Sequence, residues 1–544
     1  MVFDKTAREV ALKQMGPAMT AEQVTAKYGQ YWNGVQRYGI KQGFEKDGSP
    51  KFRCIDNHAD NMNNDAAERR QQIAMTSVSQ IMLIIRTMYA AVKDCGEEWS
   101  LRGGTEDLKA AYRQCPLLSA HVQFAITMVW NPHSKTIDYH ELYGQPFGAG
   151  HAVPNFYRLA AWAMAGIRRL LFVVGDHFFD DYFYIEPKNT APSAAWALQR
   201  FMQIVGLKLD SEKSQLPRSV WHALGVVFDM RSMLSSRLLL VKAKETRVLN
   251  ALVEMVSILQ NNRLRPSHAA KVFGKLDFLN TTLFGRVGRT GLGPLKQRQH
   301  ATEVNKNWQL NDMLRAALAW LIEILLLAPP REMRLDEAVE KTCLLYTDGS
   351  SDPSRTPKHV VGAVLFDPFA QEVRYTYTPV PEHVVNSWVP MKQQIHLTEL
   401  FAGPLSLDTW QQRLQNRHVI HFVDNSAALA ALVKGYSSKD DCIKLSSDYW
   451  LRAASGKVYI YVDRVESKSN ISDEPSRLCF DKLMPELGAV YDPPVLNYLD
   501  SPAPLRDPTT WFGSSDRWRK IIADLHAGFF PTTPDPARSK GSGS

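Results

Sequence analysis

The chain has 544 residues, too many for one hydrophobic core, and is expected to divide into three or four units. Hydrophobic residues make up 45% and charged residues 22%, a balance that excludes a chain disordered throughout, and no internal repeat is visible. The net charge is +8, and the six scattered cysteines form no CxxC pair, which excludes a zinc frame or a disulfide scaffold and points to a reducing compartment.

The N-terminus, Met1 to Lys5, has no signal-peptide core, so an intracellular rather than secreted protein is expected. Thr20-Ala-Glu-Gln23 has the form of a capping box and opens a predicted helix. In Lys51-Phe-Arg53-Cys-Ile-Asp56, alternation places Lys51 and Arg53 on one face of a strand, as phosphate binding would require. A turn-like Arg102-Gly103-Gly104 leads to Asp107 and an amphipathic stretch containing Tyr112. The run Leu170 to Ile185 is apolar and aromatic on both sides of Asp180-Asp181, which reads as two buried strands meeting at a turn. Two like charges pressed together on such flanks call for a neutraliser, and oxygen ligands suit Mg2+ or Mn2+. Asp107 lies 73 positions before Asp180, so only the fold can complete the site with it.

Between Arg231 and Gln299, thirteen basic residues face three acids, a local excess of +10. A helix is predicted over 243–261, and the glycines of Arg286 to Lys296 are expected to lay backbone amides on a duplex phosphate backbone without reading sequence. Met313 to Ala328 is the most apolar helix, too short and too charged to span a bilayer. A second set of acids follows: Asp348 at the end of an apolar strand with a glycine turn, Glu399 on a helix, Asp424 at a strand end, and Asp473. Val360–Phe366 and Val373–Tyr377 read as two further strands between the first two of these acids. The Pro-rich tail 481–544, with Trp511, Phe512, Trp518, Phe529 and Phe530 and a linker-like Gly-Ser-Gly-Ser end, matches nothing nameable and receives no chemistry.

In order, the segments Asp107–Tyr112, Gln145–Phe156 and Phe178–Asp181 resemble motifs A, B and C of reverse transcriptases. Gly206–Ser214 resembles motif D, whose lysine, here Lys213, lies near the pyrophosphate leaving group. His222–Val227 resembles the hairpin that grips the primer end, and 51–56 the fingers strand whose cations hold the triphosphate. Asp348, Glu399, Asp424 and Asp473 resemble the four carboxylates of ribonuclease H, with spacings of 51, 25 and 49. The nearest flavour is the retrotransposon or retroviral type, gypsy-like or DIRS-like. No aspartic protease box, integrase or recombinase set accompanies it, as expected of a processed piece.

The resemblance implies an α+β right-hand polymerase followed by an α/β ribonuclease H-like domain. Fingers and palm would occupy 1–230, thumb and connection 231–335, and ribonuclease H 340–480. Each site would hold two Mg2+, with Mn2+ possible: Asp107, Asp180 and Asp181 in one, Asp348, Glu399, Asp424 and Asp473 in the other. Lys51, Arg53, Tyr112, Phe147 and Gly148 would contact the incoming dNTP, Tyr112 as the gate that rejects a 2′-hydroxyl. The partners implied are an RNA template, a DNA primer, the RNA–DNA hybrid and dNTPs. Phe147 stands where retroviral enzymes tend to have Gln, and Phe178 replaces the commoner Tyr of YxDD. Lys468 stands where many relatives carry a mobile His, which implies slower or differently pH-dependent cleavage. The competing readings are a non-catalytic nucleic-acid scaffold, which would tend to lose acids, and an RNA-dependent RNA polymerase, which would need no ribonuclease H.

Overall fold

A computed structural model describes residues 1–44, 49–66, 72–302, 308–335, 341–391, 394–437 and 439–496, so the tail aromatics from Trp511 onward lie outside the described residues. The chain is mixed α/β and divides into two compact units, one ending at Arg237 and one beginning at Leu238.

The first unit holds two four-stranded sheets. In one, β1 (Gly34–Phe44) and β2 (Pro50–Asp56) form an antiparallel pair, and β1 runs parallel to β4 (Ile126–Asn131), itself paired with β5 (Thr136–Glu141). In the other, β3 (Leu101–Asp107) lies between β7 (Asp181–Pro187) and β8 (Gln215–Arg218), with β6 (Gly175–Phe178) outside β7. β7 reads Asp-Tyr-Phe-Tyr-Ile-Glu-Pro, and its aromatic and β-branched side chains favour a pleated, two-sided burial. Tyr182, Phe183, Tyr184 and Ile185 are all fully or nearly fully buried.

The expected turn at Arg102-Gly103-Gly104 is instead the middle of β3. A Cβ on Gly103 would come within 2.2 Å of the Trp221 ring, so this glycine lets a buried tryptophan lie flat on the strand rather than bending it. Trp221 belongs to the hairpin of β9 (Val220–Ala223) and β10 (Val226–Asp229), closed by Leu224 and Gly225, both at positive φ. The capping box at Thr20 is formed, with Gln23 N–H donating to Thr20 Oγ1 and Thr20 N–H to Gln23 Oε1.

The second unit begins with β11 (Leu238–Ala243), paired antiparallel with β12 (Arg331–Arg334). Between them run the helices Glu245–Asn261, Pro266–Asn280, Leu292–Gln299 and Asp312–Leu327. Then comes a six-stranded sheet made of β13 (Cys343–Ser351), β14 (His359–Asp367), β15 (Glu372–Pro379), β16 (His418–Val423), β17 (Tyr459–Arg464) and β18 (Val490–Tyr491). Its order is β17-β16-β13-β14-β15-β18, with β16 parallel to β13 and β14 antiparallel to it. β18 draws residues past 480 into the sheet, and Leu483 and Ala489 are buried against it.

The helices and this sheet share one apolar core. Helix Ile395–Thr409 is buried from Leu397 to Asp408, and Leu397, Leu400, Phe401 and Leu405 each contribute about 1.5–3 kcal/mol by leaving water. The glycines of 286–296 do not face a ligand: Gly288, Gly291 and Gly293 are buried, with Val287, Leu292 and Leu295 around them. Apolar neighbours pull that segment into the core, so its amides are out of reach of a duplex, and Lys296 remains exposed. Arg298 is likewise internal, donating to the carbonyls of Leu264, Trp308 and Gln309. No helix among the described residues is long and apolar enough to cross a membrane.

Candidate active sites

The first cluster is built by strand register. β6 and β7 form a tight hairpin in which Phe178 pairs with Asp181, leaving Phe179 and Asp180 as the two-residue turn, and Phe179 takes a left-handed φ of 52°. Across β7, Asp181 pairs with Asp107 of β3, so a separation of 74 positions closes to neighbouring places on adjacent strands. The Leu108 amide also donates to the Asp180 carbonyl at 3.1 Å. Exposure grows toward the tip: Asp107 is buried, Asp180 half-buried and Asp181 exposed. The apolar flanks therefore bury the hairpin and leave its acids facing outward.

Lys213 supplies the local counter-charge. Its Nζ lies 2.7 Å from Asp107 Oδ1 and 3.4 Å from Asp210 Oδ2. The segment carrying it is laced to β3: Asp210 N–H donates to the Asp107 carbonyl at 2.7 Å, and the Ser214 hydroxyl donates to Glu106. The hydrogen bond to Asp107 raises the ammonium's proton affinity. Partial burial raises the pKa of Asp180, with Asp107 adding repulsion. Asp181 is pushed up to about 7 by desolvation, the hydrogen-bonded Asp107 and the charge of Asp180.

Two of the candidate nucleotide contacts, Arg53 and Tyr112, converge on a third, the Phe147 ring. The Arg53 guanidinium sits 4.9 Å over Phe147, the Phe147 ring packs 4.9 Å from Tyr112, and Tyr112 stacks on Phe156 at 4.8 Å. The Asp56 amide donates to the Phe147 carbonyl at 3.0 Å, which ties β2 to this loop, and Gly148 is exposed beside it. Lys51 and Arg53 are both exposed. Beneath them is a network absent from the sequence-level reading: Arg37 bonds Asp56 at 2.7 Å and Glu9 at 3.1 Å, and Arg113 bonds Asp56 at 3.1 Å. Its only sequence signal was Asp56 closing a strand, which does not identify its partners.

The second cluster sits where β13 and β16, parallel neighbours, part to opposite sides of the sheet, the position at which α/β sheets bind ligands. Asp348 comes from β13, Asp424 follows β16, and Glu399 comes from helix Ile395–Thr409. Gly349 permits the helix to approach, since a Cβ there would stand 2.7 Å from the Glu399 amide nitrogen. One carboxylate oxygen from each of the three acids lies within 4.8 Å of the others. Asp348 and Glu399 are 5% and 7% exposed. Burial and the neighbouring charges push Glu399 up to about 9 and Asp348 to about 6.

Glu399 Oε1 accepts from Asn425 at 3.1 Å, whereas Glu399 Oε2 and Asp424 Oδ1 are buried without a donor. Asp473 stands outside the trio. It opens the short helix Asp473–Ser476 and is held by Arg477 at 2.7 Å, close enough for its charge to act on Asp348. Lys468 lies in a separate one-turn helix, Ser467–Ser469.

No protein-family model matches the sequence, and no curated protein matches it. Among solved structures, the chain is similar to the foamy viral protease-reverse transcriptase in complex with dsDNA, at 12% identity and a TM-score of 0.44, covering 86% of this chain and 82% of that one. The foamy viral protease-reverse transcriptase dRH with ds DNA matches at 12% identity and 0.42, covering 84% and 68%. The same viral protein with an RNA/DNA hybrid matches at 12% and 0.42, covering 85% and 54%. These likenesses are distant, and the side chains described above carry the reading that follows.

Proposed function

We propose that the chain is an RNA-directed DNA polymerase with an attached ribonuclease H, extending a primer on an RNA or DNA template with dNTPs and degrading the RNA of the hybrid. The observation that carries it is the meeting of acids far apart in sequence at two places: strand pairing sets Asp107 beside Asp181, and carboxylate oxygens of Asp348, Glu399 and Asp424 lie within 4.8 Å of one another. In this reading 1–230 are fingers and palm, 231–335 thumb and connection, and 340–480 ribonuclease H, whose sheet β18 carries on to Tyr491, with the rest of 481–544 an extension, in an intracellular setting.

The second cluster fits a divalent cation on its own chemistry, and the acids of the first offer the same kind of donor. Their donors are carboxylate oxygens, which Mg2+ and Mn2+ prefer, and in the second cluster two buried oxygens have no donor. Such ions, when bound, supply Lewis-acid polarisation of phosphoryl oxygens and activation of the attacking hydroxyl or water. Asp107, Asp180 and Asp181 would hold them in the polymerase site, and Asp348, Glu399, Asp424 and Asp473 in the nuclease site.

The chain's own groups divide the remaining work. Lys213 holds a proton at Nζ beside Asp107, placed to meet the charge that develops on the leaving pyrophosphate. Lys51 and Arg53 offer cations to the triphosphate, with Arg53 steadied over Phe147. Tyr112, braced between Phe147 and Phe156, presents a rigid ring to the sugar and would exclude a 2′-hydroxyl.

The test is a double dissociation. Asp180→Asn should lower primer extension by about 10³-fold or more and spare hybrid cleavage, and Asp424→Asn should do the reverse, as expected when several kcal/mol of transition-state stabilisation are lost. Variants that both retain both activities would refute the assignment.

A further inference from the structure

The acids of the second cluster have a close neighbour that is not an acid. Ser476, 0% exposed, ends the helix Asp473–Ser476 and donates its hydroxyl hydrogen to Asp348 Oδ2. The same hydroxyl lies 3.1 Å from the Asp473 carbonyl oxygen, but it has one hydrogen, and the charged carboxylate is the stronger acceptor.

The position of Ser476 does not depend on that bond. Its carbonyl accepts from Ser350 Oγ at 2.6 Å, and the preceding loop is pinned by Asn470, whose Nδ2 donates to the Thr347 carbonyl at 3.1 Å. Asn470 is steadied in turn by the Ser472 hydroxyl at 2.6 Å. The helix lies flat over Gly362, where a Cβ would stand 2.4 Å from the Ser476 amide nitrogen. The backbone therefore delivers a fixed donor to one oxygen of an acid whose neighbours, Glu399 and Asp424, repel it.

We propose that Ser476 is a positioning residue: its hydroxyl sets the rotation of the Asp348 carboxylate, so that this acid presents a constant edge to Glu399 and Asp424 and strengthens their joint hold on a divalent cation. This rests on the reading of that cluster as a cation-dependent nuclease site. Hydrogen-bond partners of metal ligands act in this way, and their loss typically costs about 10- to 100-fold in affinity or activity.

The experiment is a calorimetric titration of the full chain with Mg2+, with the signal lost in Asp424→Asn assigned to this cluster. Ser476→Ala should weaken that binding about 10- to 100-fold and move the Mg2+ concentration for half-maximal hybrid cleavage by the same factor, with primer extension unchanged. Ser350→Ala loosens the same helix but keeps the hydroxyl, so it should shift the titration much less. Ser476→Cys, of similar shape and a weak donor, should fall between wild type and Ser476→Ala. Wild-type Mg2+ affinity in Ser476→Ala, or an equal shift in Ser350→Ala, overturns the proposal. A wild-type chain that leaves the hybrid intact would sink the nuclease reading alone, since the binding comparison still decides the role of Ser476.

Discussion

In the first unit, the half-buried Asp180 and exposed Asp181 stand at a hairpin tip beside the buried Asp107 of β3, with the Lys213 ammonium 2.7 Å from Asp107. In the second, Asp348 and Glu399 are almost fully buried, and among the described residues none of Asp348, Glu399 and Asp424 has a salt-bridge partner. The same chemical problem, like charges held together, thus has two solutions. Partial exposure and a built-in cation relieve the first cluster in part, with Asp181 still pushed up to about 7. The second has no such cation and relies on protons, or on an ion from solution, and its Glu399 is pushed further, to about 9.

The largest effect that separates them should come from the lysine. Lys213→Met removes the first cluster's internal cation and should lower nucleotide incorporation about 10²-fold while leaving hybrid cleavage intact. Single-turnover incorporation measured beside cleavage checks this, and an equal loss of both would erase the distinction.

A middle-sized effect concerns stability against pH. Glu399 at about 9 and Asp348 at about 6 keep protons in the native state that the unfolded chain, titrating near 4, has released. The native state binds more protons across that window, so the contribution of these groups to stability is fully present below about pH 4 and falls as pH rises through 6 and on toward 9. Glu399→Gln should flatten that slope relative to wild type in metal-free melts. At pH 8, Mg2+ at tenfold its Kd should add about 1.4 kcal/mol, and less at pH 5.5, where protons already neutralise the site. A Glu399→Gln slope identical to wild type would count against a buried, proton-dependent cluster.

The smallest effect is the stability change in Lys213→Met. With its side chain 61% exposed, the ion pair to Asp107 should contribute no more than about 1 kcal/mol. A larger loss of thermal stability would mean that Lys213 holds the fold together rather than serving the chemistry.

Local pattern made much of this visible in advance. The aromatic run around Asp180-Asp181 announced a hairpin, Val360–Phe366 and Val373–Tyr377 announced β14 and β15, and Thr20 announced a capped helix. Local pattern failed where a residue's role belongs to a partner far along the chain. Gly103 looked like a turn because nothing nearby shows that Trp221 lies against it, 118 positions later. The glycines near Gly288 looked like phosphate contacts because their burial comes from helices that pack around them.

The placement of the acids at strand ends and on a helix follows from local periodicity, a near-neighbour property, and their grouping into two sets follows from the motifs that the chain resembles. Which oxygen meets Lys213, and how Ser476 reaches Asp348 from 128 positions away, depend on register and on close approach over glycine. Those relations appear once the chain is folded, because hydrogen bonds and charge act over a few ångströms of space and are indifferent to distance along the sequence.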